Sequence, residues 1–130
     1  MLPTITLGYA ALLALLFSAL SLVVVALRVR GNVPFGDGGD PTLLRAVRSH
    51  GNFAEWVPFA VLLVGANEAL GASATWIHAW MAALLAARVL HPVGLFSTLD
   101  SFVYRLGRIA GALTTWAVLT SAAVALLLRV

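Results

Sequence analysis

Residues 1–27 run without a charged side chain, and the apolar run stops at Arg28 and Arg30. A secretory leader opens with a positive stretch and has an apolar core of only about 7–15 residues. This segment has neither feature and reads as a retained spanning helix. The stretch GNVPFGDGGDP, residues 31–41, is dense in glycine, proline and aspartate and reads as a loop. Asp40-Pro41-Thr42 then makes a helix start, with Asp40 as N-cap and Pro41 at the first helical position. A second helix follows to about Leu70. At 1.5 Å per residue it spans roughly 45 Å, more than the roughly 30 Å hydrocarbon core, so its first turns should lie in the interface. Pro58 should kink or loosen it. Gly71-Ala72-Ser73 is a short turn, and a third helix begins at Ala74, where Trp76 and Trp80 suit an aromatic belt. HPVGLFSTLD, residues 91–100, reads as a second loop, closed by Asp100 or Ser101 as a cap. The last segment contains an uncharged run over residues 109–128, about one bilayer long. The expected helices are thus about 3–28, 41–70, 74–91 and 101–129, in one domain over residues 1–130.

Composition agrees with the pattern. The chain is 62% hydrophobic and 10% charged, against about 25% charged in soluble domains. A soluble chain this short has too little interior for so much apolar surface. The expected class is therefore an all-α integral membrane protein with four spans. Cysteine is absent, which removes disulfides, thiolate metal sites and a cysteine nucleophile. The pI is near 10.7 and all eight basic residues are arginine. Border arginines explain that balance more simply than nucleic acid does. Arg28, Arg30, Arg45, Arg48, Arg88, Arg105 and Arg108 lie near the first and third connections, and only Arg129 lies at the other face. The positive-inside rule then makes the 28–45 and 88–108 connections cytoplasmic and turns both termini outward.

The polar residues inside this apolar frame are where chemistry is to be sought. Arg45, Arg48, Asn52 and Glu55 stand at i, i+3, i+7 and i+10 and form one stripe on the second helix. An ionisable group within a span costs about 2.5–3.5 kcal/mol and usually faces a protein interior, a partner or water. Glu55 suits either an ion pair with an arginine or a ligand. Arg88 and His91 end the third helix three residues apart; Arg88 also fits a snorkelling border residue, and His91 an interfacial histidine with a backbone partner. Arg105 and Arg108 open the fourth helix beside Tyr104, as topology determinants or as ligands. Several guanidiniums and one carboxylate at one depth suit a small zwitterion with carboxylates and an amine. Arginine grips carboxylates through its planar fork, and Glu55 would take the amine. No metal site is expected, because His50 and Glu55 diverge on the helix and His78 belongs to the opposite face. Asn67 and Glu68 read as interfacial, Trp116 and Thr114-Thr115 as packing residues. Gly107 and Gly111 form a G-x-x-x-G contact signal.

Arg48-x-x-x-Asn52-x-x-Glu55 followed by an aromatic and Pro58, then Arg88-x-x-His91-x-x-Gly94, then Arg108 at the head of the last helix, resemble the MAPEG family, the membrane-associated proteins in eicosanoid and glutathione metabolism. The likeness covers nearly the whole chain, and the short loops look most like a bacterial member. It implies a left-handed four-helix bundle assembled as a homotrimer in a bacterial plasma membrane, with glutathione as co-substrate between neighbouring subunits. It implies that Arg48, Asn52 and Glu55 bind the peptide, that Arg88 and His91 complete the pocket, and that Arg108 stabilises the glutathione thiolate, with Arg105 as the alternative one turn away. Trp56 and Leu95 stand where members often carry tyrosine. The activity so implied is a glutathione transferase or peroxidase acting on lipophilic electrophiles or hydroperoxides. A non-catalytic member that binds lipid or uses the stripe for trimer assembly is the alternative. A small multidrug transporter is a third reading, although such exporters carry their carboxylate in the first helix and residues 1–27 have none.

Overall fold

The computed structural model describes residues 1–98 and 101–130. Four helices follow one another: α1 over Thr4–Gly31, α2 over Pro41–Ala69, α3 over Ala74–Phe96 and α4 over Phe102–Leu127. The all-α membrane architecture expected from the sequence is present. α1 runs past Arg28 to Gly31, because two arginines in a last turn complement the helix dipole rather than end the helix. It stops where Asn32 turns left-handed, at φ 50°, and Val33 N–H donates to Arg28 O at 3.0 Å. α2 starts where the N-cap rule puts it, with Asp40 Oδ1 accepting from Thr42 N–H at 2.8 Å. Ser101 accepts from Tyr104 N–H at 3.1 Å and caps α4; the alternative cap, Asp100, lies outside the described residues.

The third helix departs from expectation. Residues 91–96, read as loop from their proline and glycine, continue α3 to Phe96. Pro92 removes one N–H from the ladder, yet the helix is held from outside by α4. A Cβ built on Gly94 would lie 2.8 Å from Gly107 Cα, and one on Gly107 would lie 2.6 Å from Gly94 Cα. Two glycines therefore let the backbones touch, and that contact carries α3 past its proline. Ser97 closes the helix, donating from N–H and Oγ to Gly94 O.

Neighbours run antiparallel. The start of α1 meets the end of α2 at Thr6 and Glu68, its middle meets Phe53 through Phe17, and Ser21 meets His50. α3 and α4 pair Trp80 with Ser121 and Arg88 with Thr115. α1 packs on α2 and α3, and α4 packs on the same two helices from the other side. The α1–α2 and α3–α4 connections thus share one end of the bundle. α1, α3 and α4 are each long and apolar enough to cross a membrane. α2 is more polar, but it runs beside α1 from Thr6–Glu68 to Ser21–His50, so a bilayer crossed by one is crossed by both. Leu13, Phe53, Val57, Ala60, Val64, Ile77, Met81, Leu84, Val118 and Ala122 make the core. Leu15, Leu22, Leu62, Leu113 and Leu127 point outward, as side chains facing lipid do.

At the other end, Asn67 and Glu68, read as interfacial, lie in the last turn of α2 and are enclosed by the bundle, being 0% and 5% exposed. Asn67 Nδ2 donates to Leu63 O and Ala122 O, both at 2.9 Å, and ties α2 to α4. Glu68 accepts from Ile5 N–H and Thr6 N–H at 2.8 Å and from Thr6 Oγ1 at 2.6 Å. α1 opens after Pro3, which makes no side-chain cap, so the carboxylate of α2 satisfies its free N–H groups.

Candidate functional site

The arginine-rich end of the bundle holds a cleft of about 720 Å³. α2 lines it with Leu44, Arg45, Arg48 and Asn52, α3 with His91 and Leu95, and α4 with Tyr104, Arg105, Arg108, Ile109, Ala112 and Leu113. The spacings explain the convergence. Arg45, Arg48 and Asn52 share a face of α2, and Arg105, Arg108 and Ala112 share a face of α4 at steps of three and four. His91 projects from α3 between them because Gly107 and Gly111 let α4 come close; a Cβ on Gly111 would lie 3.4 Å from His91 Cβ. Of the sequence-derived candidates, the cleft gathers Arg48, Asn52, His91, Arg105 and Arg108, with Arg45 beside them. Four guanidiniums around one space, with no carboxylate among the described lining residues, make a strongly positive site.

Tyr104 stands beside these arginines at the start of α4. Here Arg108 Nη1 donates to its hydroxyl at 2.6 Å, and the guanidinium carbon lies 5.5 Å from its ring centroid. The hydroxyl oxygen is thus occupied as acceptor and its hydrogen is left to donate. Tyr104 of α4 and Leu95 of α3 both line the cleft. The i, i+4 spacing of Tyr104 and Arg108 was the available signal.

Arg88 is not a border residue reaching for water. It is 2% exposed. Nη1 donates to Asn52 Oδ1 at 2.5 Å, and Nη2 to Gly111 O at 3.0 Å and to Thr115 Oγ1 at 2.6 Å. It therefore ties α2, α3 and α4 together beneath the cleft, and it fixes the Asn52 amide with its oxygen inward and its NH₂ outward. Asn52 meets the cleft as a donor, suited to a carboxylate or carbonyl. Thr115, read as a packing residue, is a partner of this arginine. Trp116, read likewise, is 59% exposed, 6.2 Å from the Trp56 ring centroid.

Glu55 does not enter the cleft. It is exposed on the outer face of α2, on the same side as Pro58 and Phe59. It stands about 10 Å further along α2 than Arg48, past the residues that line the cleft. His50 turns toward α1, stacked on Phe17 at 4.5 Å and hydrogen-bonded to Ser21 at 2.8 Å.

The chain matches the model of the MAPEG family over residues 6–128. It is 38% identical to the inner membrane protein YecN of Escherichia coli K12 over 111 residues, 85% of this chain and 81% of the relative. The same protein from the O6:H1 strain of Escherichia coli matches equally. That name records a location and no reaction. No solved structure matches the chain. The match to the family model over nearly all of the chain, and the relative's coverage, show that this integral membrane protein belongs to the MAPEG family.

Proposed function

We propose that the chain is a membrane glutathione-dependent transferase or peroxidase, and that the arginine cleft holds the thiol peptide. The observation that carries this reading is the convergence of Arg45, Arg48, Arg105 and Arg108 with Asn52, His91 and Tyr104 on one cleft of about 720 Å³. That volume suits a small ligand, since such sites run at about 300–1,000 Å³. Glutathione brings two carboxylates, which the guanidinium forks and the outward NH₂ of Asn52 take as acceptors. Its thiol has an ordinary pKa near 8.5, so little thiolate exists at neutral pH. A guanidinium beside the sulfur favours the charged form, and Arg108 is the residue in this role. The Tyr104 hydroxyl, polarised by Arg108, donates a further hydrogen bond to the sulfur. The thiolate then attacks an electrophilic carbon and expels its leaving group, or attacks a hydroperoxide oxygen and releases an alcohol. The glutathione amine finds no carboxylate among the described lining residues. Glu55, exposed on α2, reaches it only across a subunit boundary, in the trimer that the family resemblance implies.

The same lack of a lining carboxylate favours a second reading, in which the cleft holds the anionic headgroup of a phospholipid and catalyses nothing. Calorimetry with glutathione on protein in nanodiscs of zwitterionic lipid separates the two. The first reading expects saturable binding, weakened about tenfold or more by Arg48→Ala, since a hydrogen bond to a charged group is worth about 1.5–3 kcal/mol. No binding at millimolar glutathione, together with anionic phospholipid retained through purification, establishes the second.

A further inference from the structure

Directly below the arginine cleft lies a smaller pocket of about 220 Å³, lined by Asn52, Trp56, Arg88, Ala112, Thr115 and Trp116. It shares Asn52 and Ala112 with the cleft above. From Arg108 to Thr115 is seven residues of α4, or about 10 Å further into the membrane. We propose that this pocket is the acceptor site, and that it takes a small, flat, conjugated carbonyl compound, with any alkyl chain left in the bilayer. The inference rests on the reading of the upper cleft as a thiol site and names the class of second substrate.

Three observations lead to it. First, Arg88 is a buried cation whose partners are a side-chain amide, a backbone carbonyl and a hydroxyl, all neutral. Thr115 Oγ1 is itself committed, donating to Gly111 O at 2.8 Å. The positive charge is held in place and not cancelled, and at membrane depth the low dielectric extends its reach. It attracts the oxygen end of a carbonyl. A free carboxylate would interact more strongly but has to be dehydrated to reach this depth, whereas a neutral conjugated ketone partitions there. Second, the Trp56 and Trp116 rings stand 6.2 Å apart at 47°. Both line the pocket, and a planar conjugated ring packs on indole groups by stacking or by edge contact, the geometries aromatic groups prefer. Third, the volume lies below the about 300–1,000 Å³ of drug-sized pockets, which limits the occupant to a small ring system.

The shared wall sets the reaction. Sulfur held above Asn52 and Ala112 adds to the carbon conjugated with the carbonyl. A carbon–sulfur bond forms, the π pair moves onto oxygen, and the enolate takes up the proton the thiol released. The Arg88 charge lies where negative charge develops.

The test uses no thiol, so its failure is separable from failure of the thiol site. The protein has four tryptophans, and Trp76 and Trp80 lie on the first turns of α3 at the other end of the bundle. Trp76→Phe/Trp80→Phe leaves emission from the pocket alone, and Trp56→Phe/Trp116→Phe leaves the distant pair alone. Both are placed in nanodiscs and titrated with 1,4-naphthoquinone, which meets no cysteine in this chain. The expected result is saturable quenching in the first variant and only shallow, linear quenching in the second. Arg88→Met should weaken the quinone about tenfold, and Arg88→Lys should restore most of the affinity. Equal or unsaturable quenching in both tryptophan variants overturns the proposal, and that comparison stands even where Arg88→Met does not fold. Quinone binding without glutathione binding leaves the pocket standing and removes the cleft above it as the thiol site.

Discussion

Arg88 and Arg108 carry the same charge and meet opposite surroundings. Arg108 is exposed and leans on Tyr104, while Arg88 is enclosed by Asn52, Gly111 and Thr115. Their removal should therefore separate stability from chemistry. Arg88→Met takes the donor from the Asn52 oxygen, while Gly111 O keeps Thr115 Oγ1, and a buried acceptor left alone costs about 1–3 kcal/mol. Arg108→Ala breaks one exposed contact and should change stability by no more than about 0.5 kcal/mol. Thermal unfolding of both variants in one detergent checks the contrast; equal losses would show that Arg108 is also part of the frame. The sequence put both arginines at one end of the bundle, because charge against an apolar background is easy to see. It did not show which was inside, because that depends on how near α4 comes to α3. Glu55 belongs to the same stripe as Arg48 and Asn52 but stands about 10 Å beyond Arg48 along α2, outside the described lining of the cleft of a single chain.

Glycine spacing decides that approach at the scale of the elements. Gly94 and Gly107 let α3 and α4 touch, and the contact extends α3 through a proline that local rules read as its end. Gly107→Ala places a Cβ 2.6 Å from Gly94 Cα and 2.8 Å from Leu90 O. Overpacking of this kind costs about 1–3 kcal/mol, and the shift of α4 should loosen the arginine cleft with it. Gly8→Ala meets nothing within 4 Å and lies in a helix, so it should be neutral or slightly stabilising. Chemical unfolding of the two variants side by side provides the check, and a neutral Gly107→Ala would contradict the close contact. The four helices were legible because apolar runs and loop residues are local signals. The end of α3 was not, since its support comes from another helix. The capping of α1 by Glu68 was hidden likewise: the bond joins residues 62 apart in the chain.

At the scale of the whole molecule, one exposed carboxylate points beyond a single chain. Glu55 stands on the outer face of α2 beside Phe59 and near Leu62, both more than half exposed. Facing lipid there would cost about 2.5–3.5 kcal/mol. A second copy packed on that face would remove the cost, and we propose that a trimer of the kind the family resemblance implies would set Glu55 near a neighbour's arginine cleft. Mass measurement in nanodiscs should return three chains per particle, with Glu55→Leu altering ligand affinity more than assembly. A single chain per particle would contradict this.

On the proposed function, the arginine cleft binds glutathione and ionises its thiol. Ultraviolet difference absorbance of purified protein with glutathione, wild type against Arg108→Ala, tests it most directly. Wild-type protein should show a thiolate band at neutral pH that falls at least tenfold in the variant while glutathione still binds. Bound glutathione with no thiolate band, or a band indifferent to Arg108, would contradict it.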